Sequence, residues 1–329
     1  CHPGADKALA AAAVHLDLPS VVGTLEYALA AAFIILTAVT FGPLMVIVVL
    51  ELFALIVGRE HHAAERMERL TVALWAHPDG RRRLTRFTVC QRIQHWVLAI
   101  LFVLLALTGF PLKFADHAWA RALIEDFGGL SQARQIHHWV GIALIVGFVV
   151  HLIYILWTML PRMRVPGPDG VQPGLRRAIT SLPMWIGPRD VLKMGQLLAY
   201  LMFLRKEPPT FGRFSVKEKF EYIGVFWGTT LLGVTGALLW GEQIATRFLS
   251  GRVLNIALIA HTYEAFLAVI HVGILHIINV MLSPAVFPLS LATLSGRTPT
   301  AALAEEHSDQ VLEVAHELGV STAEVDSHD

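Results

Sequence analysis

Cysteine is nearly absent from this chain and charge is scarce. Only Cys1 and Cys90 occur among 329 residues, which excludes a disulfide framework and a Cys-x-x-Cys zinc site. Charged residues make up 16%, against roughly a quarter in soluble domains. Basic and acidic residues balance at 26 each, which argues nothing about nucleic acid, although the charges are sharply segregated along the chain. No nucleotide, iron–sulfur or molybdenum motif is present, and with them goes any recognisable substrate site. What fills the chain instead is apolar: 55% hydrophobic residues and a mean hydropathy of +0.57. That composition belongs to a polytopic protein of the lipid bilayer.

A spanning helix needs about 20 mostly apolar residues. Five stretches qualify: 24–57, 93–112, 138–160, 220–240 and 257–282. The expected fold is an all-α integral membrane protein with five transmembrane helices. Lys and Arg set its orientation. Segment 58–92 holds eight and 161–219 holds eleven, whereas 113–134 holds three and 241–256 two. The positive-inside rule therefore puts the N-terminus outside and the C-terminus in the cytoplasm. Asp190–Leu204 reads either as a helix lying at the membrane surface or as a short core helix. The polar stretch 291–329 reads as a solvated cytoplasmic tail.

Seven histidines lie in or at the edges of these apolar segments: His95, His137, His138, His151, His261, His271 and His276. An imidazole within lipid is costly unless something satisfies it. His137 and His151 are 14 residues apart, about 21 Å along a helix and within about 40° of one face. His138 points elsewhere. His261 and His276 are 15 apart, about 22 Å with a drift of about 60°, which a local helix distortion corrects. His137 and His261 start their helices at the outer surface and form a natural pair. His95, His151 and His276 lie near the inner surface and compete for two positions. Imidazoles facing each other at two depths suit two haem b groups, each ligated from two helices. Glycines 109, 141, 147, 228, 233, 236 and 273 would let a porphyrin edge approach, or serve ordinary helix packing. Arg92 and Arg134 stand beside the ligand candidates, as propionate partners or interfacial anchors. Glu51 and Glu264 are carboxylates at or within apolar spans, either proton groups or structural ones.

The stretches RFTVCQRIQHWVLAILFVLLALTGFPLKF (86–114), ARQIHHWVG (133–141), FGRFSVKEKFEYIGVFWG (211–228) and HTYEAFLAVIHVGILHIINVMLSPAVFP (261–288) resemble the di-haem cytochrome b subunits of membrane-bound formate dehydrogenases and nickel-iron hydrogenases. The resemblance covers about residues 84–290 and implies a four-helix haem-binding bundle there, behind one additional N-terminal helix at 24–57. It implies iron ligation by His137 with His261 outside and by His95 with His276 inside; His151 has no counterpart in the formate dehydrogenase subunits and stays the inner alternative on its depth. It also implies a quinone, menaquinone or ubiquinone, beside the inner haem. The matching positions are Ser215, Val216, Lys217, Glu218 and Lys219; only the last keeps the family's residue, and Glu218 is the candidate proton donor.

Cys1-His2 admits three readings: the end of a Cys-x-x-Cys-His haem attachment motif, a lipidated N-terminus, or a boundary without chemistry. A branch of the same family fused to multi-haem cytochrome c resembles segment 1–23 in CHPGADKALAAAAVHLDL. It implies a haem c at Cys1, with His2 and His15 as iron ligands. The expectation is an electron-transfer subunit of a respiratory oxidoreductase in the bacterial inner membrane, N-terminus periplasmic. Its partners would be the quinone pool and a periplasmic multi-haem cytochrome c or iron–sulfur/catalytic subunit. The other class is a histidine-using ion transporter or a non-redox membrane anchor. Repeats with Asp or Glu beside mid-depth histidines would favour a transporter, and none are seen.

Overall fold

The computed structural model describes residues 23–57, 64–163, 174–281 and 288–320. Cys1, His2 and His15 therefore lie outside the described residues. Among those described, no strand occurs. The helices that matter are α1 (Leu25–Ile56), α2 (Ala64–Ala76), α3 (Pro78–Leu84), α4 (Val89–Lys113), α5 (Leu130–Met159), α6 (Pro188–Leu201), α7 (Val216–Trp240), α8 (Gly251–Ile270), α9 (Thr300–Glu306) and α10 (Ser308–Leu318). A π-helical turn, His271–His276, continues α8 into Ile277–Met281.

Five helices are long and apolar enough to cross a membrane: Leu25–Ala54, Pro78–Lys113, Leu130–Met159, Val216–Trp240 and Gly251–Met281. Large apolar side chains on them stand exposed, among them Ile35, Val39, Ile153 and Trp157, as expected of an all-α integral membrane protein whose solvent is lipid. Helix is the only open-ended solution there, because every backbone polar group must be satisfied within the segment. Threonines follow suit: Thr37, Thr108 and Thr235 each return the hydroxyl to the carbonyl four residues earlier. Helix α5 begins at Leu130, two turns before the apolar run foreseen at 138. Its first turns are polar, so hydropathy alone misses them, and His137 sits inside the helix.

The chain divides into two compact units. The first comprises residues up to Gly42, Val97–Leu152 and Gly224–Ile274. Aromatic pairs pack it: Phe110 on Phe266 at 5.1 Å, Phe148 on Phe226 at 5.1 Å and Phe33 on Tyr263 at 6.2 Å. At its edge Arg252 pairs with Glu26 at 3.0 Å.

The second unit comprises Pro43–Trp96, Ile153–Ile223 and residues from Leu275 on. Here the structure corrects the expectation of a solvated tail. Helices α9 and α10 pack on α2 and α3 around Leu70, Leu74, Leu84, Leu303 and Val311, all 0% exposed. These short helices are amphipathic, and a charged surface hid their common core. Gly80 makes the tight α2–α3 corner, since a Cβ there would lie 2.4 Å from the Leu74 carbonyl oxygen. Leu74→Ala is expected to cost this small core about 2–5 kcal/mol. Proteolysis on a urea gradient should show α2–α3 and α9–α10 opening earlier, with the membrane helices intact. In the same unit α6 sets Leu197, Tyr200 and Leu201 against Ile47 and Ala54 of α1, while its Val191 and Leu192 stay exposed.

His307 ties the α9–α10 corner to the loop before α7: its Nδ1 donates to the Gly212 carbonyl at 2.7 Å. The ring is buried, and burial, reinforced by the Arg86 charge, holds its pKa down to about 4 against an ordinary 6.5. The unfolded cap thus binds a proton that the folded one refuses. Stability from neutral His307 is complete above pH 6.5 and is lost as pH falls toward 4. The urea midpoint of the cap should fall over that window, and His307→Gln should flatten the fall.

Candidate functional site

In the first unit, His137 on α5 and His261 on α8 face each other with ring centres 6.3 Å apart and planes at 73°. Their Nδ1 atoms are held alike. His137 Nδ1 lies 2.9 Å from Thr108 Oγ1, and His261 Nδ1 lies 3.0 Å from Thr235 Oγ1. Each threonine spends its hydroxyl hydrogen on a helix carbonyl, Leu104 or Leu231. Its oxygen can therefore only accept, so each imidazole carries its hydrogen on Nδ1 and keeps a lone pair on Nε2. A glycine follows each threonine and makes room for the ring. A Cβ on Gly109 would stand 3.0 Å from His137 Cε1, and one on Gly236 would stand 3.2 Å from His261 Cε1. Sequence reasoning had noted these glycines but not Thr108 and Thr235. The signal was there, as Leu-Leu-x-x-Thr-Gly at 104–109 and again at 231–236.

In the second unit, His95 on α4 and His276 at the end of the π turn also stand 6.3 Å apart, with planes at 44°. His276 Nδ1 meets Glu221 Oε2 at 2.8 Å, and Asn279 donates to Glu221 Oε1 at 2.6 Å. Glu221 thus fixes the hydrogen on Nδ1 and again leaves Nε2 free to ligate. His95 packs edge-on to Trp96 at 5.7 Å, and its buried Nδ1 has no hydrogen-bond partner. The π turn supplies the distortion that the 15-residue interval on this helix calls for. Glu221 had been passed over because it reads as part of a charged helix start.

The remaining candidates are placed as follows. His151 belongs to the first unit, whereas His95 and His276 belong to the second. His138 packs on Trp240 with ring centres 5.2 Å apart and planes at 32°. His271 turns its Nδ1 to the Leu267 carbonyl at 2.9 Å. Arg92 donates to the Leu294 carbonyl, and Arg134 is exposed on α5. The stretch 215–219 is a capping box in which Glu218 Oε2 accepts from Ser215 N at 2.8 Å and from its Oγ at 3.0 Å. Every charge in it has a mate: Glu218 with Arg86, Lys217 with Glu51 at 2.8 Å and Lys219 with Asp190 at 2.8 Å. Among the described residues no three of His, Cys, Asp or Glu converge as a metal site. Paired rings without a third protein ligand suit a metal that brings its own equatorial donors.

An all-α membrane bundle that pairs imidazoles across its helices is the architecture of a membrane cytochrome b. The model of the prokaryotic cytochrome b561 family matches residues 86–286, and the chain belongs to that family. It is 28% identical over 186 residues to the formate dehydrogenase cytochrome b556 subunit of Haemophilus influenzae, covering 56% of this chain and 66% of that protein. It is 25% identical over 197 residues to the cytochrome b556(fdo) subunit of formate dehydrogenase from Escherichia coli K12, covering 60% and 78%. The nitrate-inducible cytochrome b556(Fdn) subunit of the same organism is 22% identical over 195 residues, covering 59% and 76%. This chain is accordingly a multi-pass membrane electron-transfer cytochrome that carries haem b.

The residues present fit that group. Two metal–nitrogen bonds of about 2 Å, with half of each imidazole added, put ring centres about 6 Å apart, and both pairs stand at 6.3 Å. The glycines facing His137 and His261 are cradles that a side chain would fill.

Proposed function

We propose that the chain holds two b haems, one between His137 and His261 and the other between His95 and His276. His151 is not needed in this assignment. The observation that carries it is the equal spacing of the two pairs, together with Nδ1 contacts that leave Nε2 of His137, His261 and His276 free. Bound haem would supply one-electron transfer, and the chain would supply the imidazole nitrogens that hold it, in a fixed tautomer.

The charge bias of the loops supports a periplasmic N-terminus, a cytoplasmic C-terminus and residence in the bacterial inner membrane. On that orientation the His137–His261 site serves a periplasmic partner, and the His95–His276 site serves a quinone, menaquinone or ubiquinone. The names of the relatives favour a formate dehydrogenase-type catalytic or iron–sulfur subunit as that partner. A multi-haem cytochrome c, with a haem c at Cys1 held by His2 and His15, is the other partner consistent with the sequence. Arg92 and Arg134 remain the candidate propionate partners. Residues 215–219 enter as a fixed, ion-paired wall for quinone. Glu218 is committed to Arg86 and Ser215, so proton donation by it is not part of the proposal.

A dithionite-reduced minus oxidised spectrum with a pyridine haemochrome count should give a b-type α-band and two b haems per chain. Haem staining on a denaturing gel separates any covalent haem. A folded protein without the α-band would return the histidines to ion transport.

A further inference from the structure

Glu264 on α8 is 1% exposed, and its Oε2 has no hydrogen-bond partner. Gly228 on α7 makes its room, because a Cβ there would come within 2.8 Å of Glu264 Oε1. No cation is paired with it among the described residues, and Lys113 at the end of α4 is exposed. Within the first unit, α7 carries no charged residue from Gly224 to Trp240, α1 none from Ala28 to Gly42 and α4 none from Val97 to Leu112. The ionisable groups of α5 there are Arg134, His137, His138 and His151, those of α8 besides Glu264 are Arg252, His261 and Tyr263, and His271 opens the π turn that follows. Arg134 is exposed, Arg252 is paired with Glu26, His138 lies on Trp240, Tyr263 on Phe33, and His271 is turned to Leu267. None of these forms an ion pair with Glu264. A carboxylate buried alone within a bilayer is strongly disfavoured. One turn back along α8 stands His261, and at that site a ferric haem core carries one net positive charge and a ferrous core none.

We propose that Glu264 is the proton acceptor linked to the redox state of the His137–His261 site, an inference that rests on haem ligation by that pair. In the oxidised state the positive site stabilises the carboxylate. When a one-electron donor reduces the site, that charge disappears. Oε2 then takes one proton from the medium to give the neutral acid, and reoxidation returns it. Electron and proton together leave the local charge unchanged. At an effective dielectric of about 20, a unit charge roughly 10 Å away alters proton affinity by about tenfold.

The test uses the haem-loaded full chain in lipid nanodiscs. The reduced-minus-oxidised infrared spectrum should show a protonated-carboxyl band that shifts in deuterium oxide and is absent from Glu264→Gln. One haem midpoint should fall with rising pH in the wild type and become flat in Glu264→Gln. Gly228→Ala, which crowds the carboxyl while keeping the acid, should displace both signals. Bands and pH dependence unchanged in Glu264→Gln would overturn the inference while leaving haem ligation standing. A His137→Ala variant that keeps both haems would overturn the ligand assignment itself.

Discussion

Alanine at His137 or at His261 is expected to take the haem b count from two per chain to one, with the surviving spectrum unaltered. On the proposed assignment each ring contributes one of only two protein nitrogens to its iron, and removing it leaves the partner imidazole facing a gap. The matching threonine, Thr108 for His137 or Thr235 for His261, would then have no ring to accept from. The second pair lies in the other compact unit, with its own anchors in Glu221 and Asn279, and should keep its haem. His95→Ala and His276→Ala should give the reciprocal result, and His151→Ala should keep both haems. Reduced-minus-oxidised spectra with a haemochrome count decide the matter. Loss of a haem in His151→Ala together with retention in His95→Ala would break the proposed inner pairing. Thr235→Val is the finer probe, because it keeps the ligand but frees the ring. It should weaken haem retention by about 10–100-fold, as losses of ligand-orienting partners do.

The histidines were legible because two simple periods act on them. Residues 14 or 15 apart on one helix recur on nearly one face, and Lys and Arg in the loops order the helices by side. That reasoning reached the pair His137–His261 but left three candidates for the second pair. The choice between them depends on how helices are rotated against one another, which intervals along one helix do not encode. Thr108 and Thr235 escaped because a threonine in an apolar helix ordinarily bonds its own backbone. They do that too, and orient a ring with the lone pair that remains. Residues 215–219 present the opposite case. Clustered charges at a membrane surface look available for chemistry, yet a Ser-x-x-Glu spacing is equally a helix start, and Arg86, Glu51 and Asp190 come from distant parts of the chain to neutralise it. The core of α2, α3, α9 and α10 was hidden for a related reason. It joins segments more than 200 residues apart, each too short and too charged to announce a buried face alone.

Glu221 should set the properties of the His95–His276 site without touching its metal. Its carboxylate receives the Nδ1 hydrogen of His276 and the amide of Asn279, so it orients the ring and also lends it negative charge. Glu221→Gln keeps an acceptor for Nδ1–H but removes the charge, and Glu221→Leu removes both. The glutamine variant is therefore expected to bind two haems, with one midpoint raised. A unit charge about 8 Å from the iron at an effective dielectric of about 20 is worth about 2 kcal/mol, or roughly 90 mV for one electron. Glu221 is partly exposed, with 24% of its side-chain surface accessible, so solvent screening should reduce the rise to tens of millivolts. The leucine variant should show the same direction of shift and hold that haem about 10–100-fold less tightly. Redox potentiometry on both variants, with the His137–His261 haem as an internal reference, separates the two roles. Midpoints that stay put in both variants would reduce Glu221 to a bracket between His276 and Asn279. A shift in the glutamine variant with full haem content would mean that the charge, and not the scaffold alone, tunes the site.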